Sequence, residues 1–408
     1  MDQTQALKIL QSGHNVFLTG SAGTGKTFLL NKFIDYLKNK KIKTGVTAST
    51  GIAATHLGGR TIHSWSGIGI KDKLDNKALK RLARNEELWE RIRNCRVLII
   101  DEISMLDAVR LNLVDKVCRS VKNPFTPFGG LQIVLCGDFF QLPPVDREKE
   151  PQLAYDSSAW KNSGIKICYL EKQFRQEDLT FINILNKIRS NQAGENELNV
   201  LKTRLLKPLG FSIKPTKLYT HNVNVDAINS YELSRVPGDE AVFEMTESGP
   251  KELTDLLKKS CLAPRELKLK AGAVVMFIKN NFDAGYVNGT LGKIAGFNED
   301  GYPVVKTKKD SQITAIPASW TIEEDDEVIA RVSQIPLRLA WAITVHKSQG
   351  MSLDAAEIDL SKSFERGMGY VALSRVRTLD GIRLMGINEL ALKVNERVVI
   401  KDKEFKSS

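Results

Sequence analysis

The run Gly20-Ser21-Ala22-Gly23-Thr24-Gly25-Lys26-Thr27 has the spacing G-x-x-x-x-G-K-[ST], a pattern whose chemistry is the holding of phosphate. Glycines let successive backbone N–H groups turn inward around phosphate oxygens, and the helix that follows adds positive potential at its N-terminus. Lys26 is predicted to reach the β- and γ-phosphates, and the Thr27 hydroxyl to ligate Mg²⁺. An ordinary glycine-rich turn with a lysine opening the helix is the alternative, and the strand–loop–helix setting weighs against it. Further along, the apolar Leu98-Ile99-Ile100 runs into Asp101-Glu102. Asp101 then suits a Mg²⁺ ligand and Glu102 the base that deprotonates an attacking water. Taken alone, such a pair is more often a helix cap. Downstream of a phosphate loop it indicates hydrolysis, because binding alone needs no base beside the metal. A third stretch, Gly137-Asp138-Phe139-Phe140-Gln141-Leu142-Pro143-Pro144, also comes after an apolar run. There Gln141 is a candidate γ-phosphate sensor at the sheet edge where α/β proteins place ligands. Residue types alone would favour a proline-terminated loop.

These groups need a scaffold that brings strand ends together. Short apolar runs, NVFLTG (15–20), RVLII (96–100) and LQIVLCG (131–137), alternate with amphipathic patterns such as FLLNKFIDYLKNK (28–40). That alternation predicts a parallel sheet covered by helices. After Pro237 the texture changes to short strands split by Asn-Gly and Asp-Gly turns, the pattern of a small antiparallel barrel or sheet. From Leu337 the α/β texture returns, with AEIDL and GIRLMGI as strands around the helical GYVALSRVR. The β-rich part therefore reads as an insertion into a second α/β domain. Residues 66–95 read as a polar, helical excursion from the first domain, with nine Lys/Arg against five Asp/Glu over 71–96.

A length of 408 residues suits two to four domains, and 42% apolar with 26% charged residues is the balance of a globular chain. No apolar run approaches the ~20 residues of a membrane span, and MDQTQALKIL has neither signal-peptide nor transit-peptide layout. The expectation is an intracellular protein, of cytoplasm or nucleoid in a prokaryote. The net charge of +11 fits either a polyanionic partner or ordinary solubility. Cysteines 95, 118, 136, 168 and 261 lack metal-ligand spacing, which predicts buried free thiols in a reducing compartment.

Taken in order, these motifs resemble those of the superfamily 1B helicases, specifically the Pif-type (petite integration frequency) DNA helicases. GSAGTGKT resembles motif I, TASTGIAATHLGGRTIHSW (47–65) motif Ia with its DNA-gripping continuation, and DEIS (101–104) motif II. GDFFQLPPV (137–145) is similar to motif III, LEKQFRQ (170–176) to motif IV, WAITVHKSQGMSLDAAEIDL (341–360) to motif V and YVALSRVRT (370–378) to motif VI. The segment 178–189 resembles the short helical signature that separates this family from its relatives.

The resemblance implies two RecA-like domains. The first is expected at 1–65 and 96–168, with 66–95 as a candidate wedge. The second is expected at 169–236 and 337–402, with 237–336 as its barrel-like insertion and 403–408 as a tail. It implies ATP with Mg²⁺, adenine recognition by Gln5, and Arg175 and Arg375 as arginine fingers from the second domain. It also implies sequence-tolerant contacts to single-stranded DNA through Thr50, His63, His221, Asn222, His346 and Lys347, with Trp65 available for base stacking. The expected protein is a monomeric 5′-to-3′ helicase acting on tailed or forked duplexes, of a family tied to DNA repair, recombination and telomere maintenance. A translocase that does not unwind, a binding module with a vestigial nucleotide site, and a small-molecule kinase are the rival readings. Intact Lys26, Glu102 and Gln141 oppose the second, and motifs V and VI oppose the third.

Overall fold

The chain opens with helix α1 (Gln3–Gln11), fixed by a reciprocal cap: Gln5 N–H donates to the Asp2 carboxylate at 2.8 Å and Asp2 N–H to the Gln5 amide oxygen at 3.2 Å. Next are β1 (Val16–Gly20), α2 (Lys26–Asn39), β2 (Thr44–Ala48), α3 (Gly51–His56), β3 (Arg60–Thr61) and α4 (Ile62–Trp65). Then come α5 (Asn76–Ala83), α6 (Glu86–Asn94), β4 (Val97–Asp101), α7 (Ala108–Val121), β5 (Gln132–Cys136), α8 (Ser158–Lys161) and β6 (Lys166–Leu170). The six strands pair in the order β3-β2-β4-β5-β1-β6, all parallel. Every residue of β1 and β4 is buried, which is why both read as unbroken apolar runs rather than as alternation. Leu29, Leu30, Phe33, Ile34 and Leu37 of α2 pack with Ala6 and Leu10 of α1 and with Val16 and Leu18 of β1. Burial of each large side chain of that set stabilises by about 1.5–3 kcal/mol.

This computed structural model describes every residue except 70–72, 142, 145–151, 177, 210–214, 220–223, 282, 308–310, 325–326, 346, 349 and 408, and the side chains of 76, 323 and 324. The chain forms two units: Met1–Phe174 with Thr321–Ile329 and Ile400–Ser408, and Arg175–Trp320 with Ala330–Val399. The second begins with α9 (Leu179–Arg189), α10 (Glu195–Lys202), β7 (Thr216–Tyr219) and α11 (Val225–Ser234). A β-rich part comes next: β8 (Ala241–Glu244), β9 (Thr246–Ser248), α12 (Lys251–Ser260), β10 (Glu266–Leu269), β11 (Val274–Phe277) and β12 (Leu291–Phe297). It continues through β13 (Pro303–Thr307), β14 (Gln312–Thr314), β15 (Ala318–Glu324), β16 (Glu327–Gln334) and β17 (Leu337–Leu339), with Thr321–Ile329 of β15 and β16 counted in the first unit. β18 (Ala342–Thr344), β19 (Ala356–Leu360), α13 (Met368–Ser374), β20 (Ile382–Ile387) and α14 (Glu396–Ser407) complete the chain.

In the second unit a parallel sheet runs β18-β7-β19-β20, interrupted in sequence by the β-rich part, where β14-β13-β12-β11-β17 form an antiparallel sheet. The expected class, two parallel α/β units with a β-rich insertion, is the observed one. Among the described residues no helix is long and apolar enough to cross a membrane. All five cysteines are buried free thiols, as expected.

The β-rich region also contains a helix, α12, whose Thr254 and Leu257 turn inward at helical spacing. Two expectations need correction. Tyr169 and Leu170 belong to the first sheet, not the second domain, because β6 pairs with β1 through Thr19↔Tyr169 and Gly20↔Leu170. The supposed tail from 403 is helical through Ser407, and its Phe405 is only 7% exposed. The Phe405 ring lies 5.2 Å from Phe17, 6.0 Å from Tyr155, 6.1 Å from Trp160 and 6.3 Å from Phe139. Beside it the Tyr169 hydroxyl donates to the buried Asp402 carboxylate at 3.1 Å.

The end of α14 is therefore part of the first unit's core. Phe405→Ala is expected to destabilise that unit by about 3–5 kcal/mol, measured by urea unfolding followed through tryptophan fluorescence. A loss below about 1 kcal/mol would show the ring to be peripheral.

Candidate active site at the carboxyl edge of the first sheet

β1 ends at Gly20 and α2 starts at Lys26, so the loop between them must reverse within five residues. Gly25 supplies the turn at φ 79° immediately before α2. A Cβ on Gly20 would sit 2.4 Å from Leu170 O, so β6 leaves room for glycine only. Lys26 Nζ donates to Gly20 O at 2.8 Å and Ser21 O at 3.0 Å, curling back over the loop. The far side is braced by the segment after β6. Gln173 Nε2 donates to Ser21 Oγ at 2.5 Å, and Phe174 N–H to Gly23 O at 2.9 Å. These braces are invisible in the sequence, because nothing local marks which residues after a strand will touch a distant loop.

Asp101, the last residue of β4, is 6% exposed. Burial pushes its carboxyl up. A bond from the Cys136 thiol, the Glu102 N–H at 2.8 Å and the charge of Lys26 pull it back toward ionisation. The Cys136 thiol, itself pushed well up by burial, is protonated and donates. Glu102 comes next in left-handed backbone, φ 51° and ψ 45°, which costs a β-carbon residue about 1–2 kcal/mol. Two bonds from Ser49 hold it there: N–H to Asp101 O at 3.0 Å and Oγ–H to Glu102 O at 2.6 Å. The described residues contain no cluster of three His, Cys, Asp or Glu able to hold a metal. Mg²⁺ does not require one, since it takes one or two protein oxygens together with phosphate and water. A buried carboxylate beside the Thr27 hydroxyl's loop fits that need.

Gln141 lies after β5, is 7% exposed, and donates its N–H to Asp138 O at 2.9 Å. Phe139, two residues earlier, is locked in the aromatic cluster with Phe17 and Phe405, so this loop inherits its position from the core. Within the second unit Arg175 and Arg375 meet around one residue. Arg175 Nη1 donates to Ser374 O at 3.1 Å and Arg375 Nη2 to Ser374 Oγ at 3.1 Å. Arg375, 1% exposed, also bonds Val371 O from Nε at 3.1 Å. The signature helix positions them. Phe181, Ile184, Leu185 and Ile188 of α9 are buried, Arg189 reaches Tyr370 of α13 at 3.3 Å, and the Asp178 carboxylate accepts from Phe181 N–H and Leu379 N–H.

Two expected site residues are placed differently from the expectation. Gln5, expected to read adenine, spends its amide oxygen on the α1 cap. Gln3 instead donates to Thr24 O at 3.3 Å and Gly25 O at 3.4 Å, on the phosphate loop itself. The signal was present: Gln3 shares a helix face with the buried Ala6 and Leu10, and Gln5 does not. Trp65, expected as a stacking platform, is 3% exposed and its ring packs over Gly45, so it is core. Thr50 caps α3, accepting from Ala53 N–H at 3.3 Å, and His63 is half-buried on α4. Burial and then Arg110 push the His63 imidazole down, so it is neutral near pH 7 and acts as a hydrogen-bonding group rather than a cation. Lys347 is half-buried after β18 in the second unit. His221, Asn222 and His346 lie outside the described residues.

A family model for PIF1-like helicases matches residues 2–197, and one for the 2B domain of the DNA helicase Pif1 matches 252–297. The chain is 44% identical to an ATP-dependent DNA helicase Pif1 of Psychrobacter sp. (strain PRwf-1), covering 100% of this chain and 71% of that one. It spans 60 to 63% of the length of the animal and yeast relatives that it matches. Among solved structures it is similar to Bacteroides sp Pif1 in complex with ADP-AlF4, at 33% identity and TM-score 0.84, over 99% of this chain and 96% of that one. It is also similar to a Bacteroides Pif1 helicase in complex with ADP-AlF3 and single-stranded DNA, at 32% identity and TM-score 0.66, over 100% and 97%.

The two glutamines give opposite expectations. Gln3→Ala is expected to weaken nucleotide binding roughly tenfold, the loss of a hydrogen-bonding side chain at the loop, measured by titration with a fluorescent nucleotide. Gln5→Ala is expected to leave that affinity within about twofold and to lower only stability, by ~0.5–1 kcal/mol. The reverse order would restore the adenine role to Gln5.

Proposed function

The chain belongs to the PIF1-like helicase family, and from that premise we propose that it is an ATP-dependent DNA helicase travelling 5′-to-3′ along single-stranded DNA and separating tailed or forked duplexes. The observation that carries this reading is the convergence, at one sheet edge, of Lys26 on its loop, the buried Asp101 and the tethered Glu102.

In this reading the loop 20–27 cradles the phosphates of ATP, and Lys26 leaves its own carbonyls for the β- and γ-phosphates. Asp101 and Thr27 hold Mg²⁺, which when bound neutralises phosphate charge. Glu102 orients the attacking water and takes its proton, and Gln141 hydrogen-bonds the γ-phosphate. Arg175 and Arg375 are assigned to the charge of the transferring phosphoryl group. Their shared partner, Ser374, supports this by keeping two permanently charged, planar donors in one neighbourhood, a pairing suited to a polyanion. Gln3 takes the adenine role. Thr50, His63 and Lys347 are assigned to the DNA backbone, a grip that positions a strand without reading its bases. A monomer suffices for this cycle. Direction rests on the signature helix 178–189 and the β-rich insertion, which accompany 5′-to-3′ travel in the family that the sequence resembles.

Lys26→Ala and Glu102→Gln are each expected to lower ATP turnover by ~10²–10⁴-fold, with Glu102→Gln still binding nucleotide because the metal ligand is kept. Turnover above about a tenth of wild type in both would overturn the assignment of roles. Polarity is checked with two duplexes identical except for a 5′ or a 3′ single-stranded tail. ATP-dependent unwinding is expected on the 5′-tailed duplex, and faster unwinding of the 3′-tailed one would reverse the direction.

A further inference from the structure

Ser49 joins the hydrolytic edge of the first sheet to the segment assigned to DNA. It directly succeeds β2, whose last residue, Ala48, pairs with Asp101 of β4. Its N–H extends that ladder by one bond, to Asp101 O at 3.0 Å, and its hydroxyl then crosses to Glu102 O at 2.6 Å. One residue thus clamps the peptide groups on both sides of the site where strand backbone turns into the left-handed conformation of Glu102. Its C-terminal neighbour is Thr50, the first in sequence of the residues assigned to the DNA backbone. Ser49 is 9% exposed, so its hydroxyl is largely shielded from water that would compete for the bond.

From this geometry we propose that Ser49 is a positioning residue that transmits DNA occupancy at Thr50 to the backbone of Glu102. This rests on the reading of Glu102 as the hydrolytic base and of Thr50 as a DNA contact. A residue in left-handed backbone sits in a narrow well, and a shift of its carbonyl re-aims the side chain on the same Cα. Strand binding at Thr50 moves or stiffens residue 49, and the 2.6 Å bond from the Ser49 hydroxyl carries that change to Glu102 O with no third residue between. No covalent step is involved: the relay changes the aim of the carboxylate toward the attacking water. The coupling is a bond within one sheet edge, so it operates before any larger rearrangement.

The test is Ser49→Ala in the full chain, with ATP turnover measured with and without a saturating oligothymidylate. The ratio of DNA-stimulated to basal kcat is expected to fall roughly ten- to a hundredfold, the scale of an ångström-level misplacement of a reacting group. KM for ATP and Kd for the oligonucleotide are expected to stay within about threefold of wild type, a split that general loss of structure does not produce. Ser49→Thr, which keeps the hydroxyl, is expected to restore the ratio. Should Ser49→Ala fail to fold by thermal unfolding, Ser49→Cys keeps the side-chain branching with a slightly larger, weaker donor and carries the same measurement. An unchanged ratio, or equal loss with and without DNA, overturns the relay. Absence of DNA stimulation in the wild type overturns the functional reading beneath it instead.

Discussion

Asp101 is a carboxylate buried at the end of a buried strand, and the rest of the site depends on keeping it charged. Burial drives it toward protonation, and an isolated ionised carboxyl there would be strongly disfavoured. The protein answers with a lysine across the sheet edge, a backbone N–H and a thiol. Lys26 can serve only because the loop 20–25 reverses tightly enough for α2 to start beside β1. That reversal in turn needs glycine at 20, where the backbone of β6 presses close, and at 25, where φ is positive. Sheet order, loop composition and electrostatics are thus one requirement expressed at three scales.

The same requirement explains which features are legible in the sequence. A phosphate loop and a strand ending in two carboxylates are local patterns, and the sheet that aligns them shows itself in unbroken apolar runs. Which way a side chain faces is not a local pattern. Gln3 and Gln5 differ by two residues, about 200° around a helix, and only the buried pair Ala6 and Leu10 tells which face meets the loop. Trp65 lies in a polar-looking stretch, yet its ring packs so closely over Gly45 that a Cβ there would come within 2.8 Å of it. The braces from Gln173 and Phe174 were unreadable for a different reason, since they join segments roughly 150 residues apart through a strand pairing that no local spacing encodes.

The second unit shows how a signature can be structural in cause. The helix at 178–189 acts within its own unit. It buries four apolar side chains, and Asp178 ties its start to the turn at Leu379, just beyond Arg375. Arg189 meanwhile reaches the hydroxyl of Tyr370 on the helix that leads into Arg375. A buried arginine must have its donors satisfied, and the Val371 carbonyl and the Ser374 hydroxyl accept from Arg375. The helix is therefore a mould for the arginine pair.

Phe405 has a consequence for the order in which the molecule is made. The aromatic cluster around Phe17, Phe139, Tyr155 and Trp160 gains its central ring from a residue translated after the whole second unit. At the pace of a ribosome, the interval between β6 and Phe405 is on the order of tens of seconds. During that time the first unit has its sheet but an open apolar face. Amino-terminal domains usually finish folding before downstream segments leave the ribosome. Until the last turn of α14 is made, Phe17, Phe139, Tyr155 and Trp160 lack the ring that packs among them, and an apolar face of that kind would suit a holding chaperone.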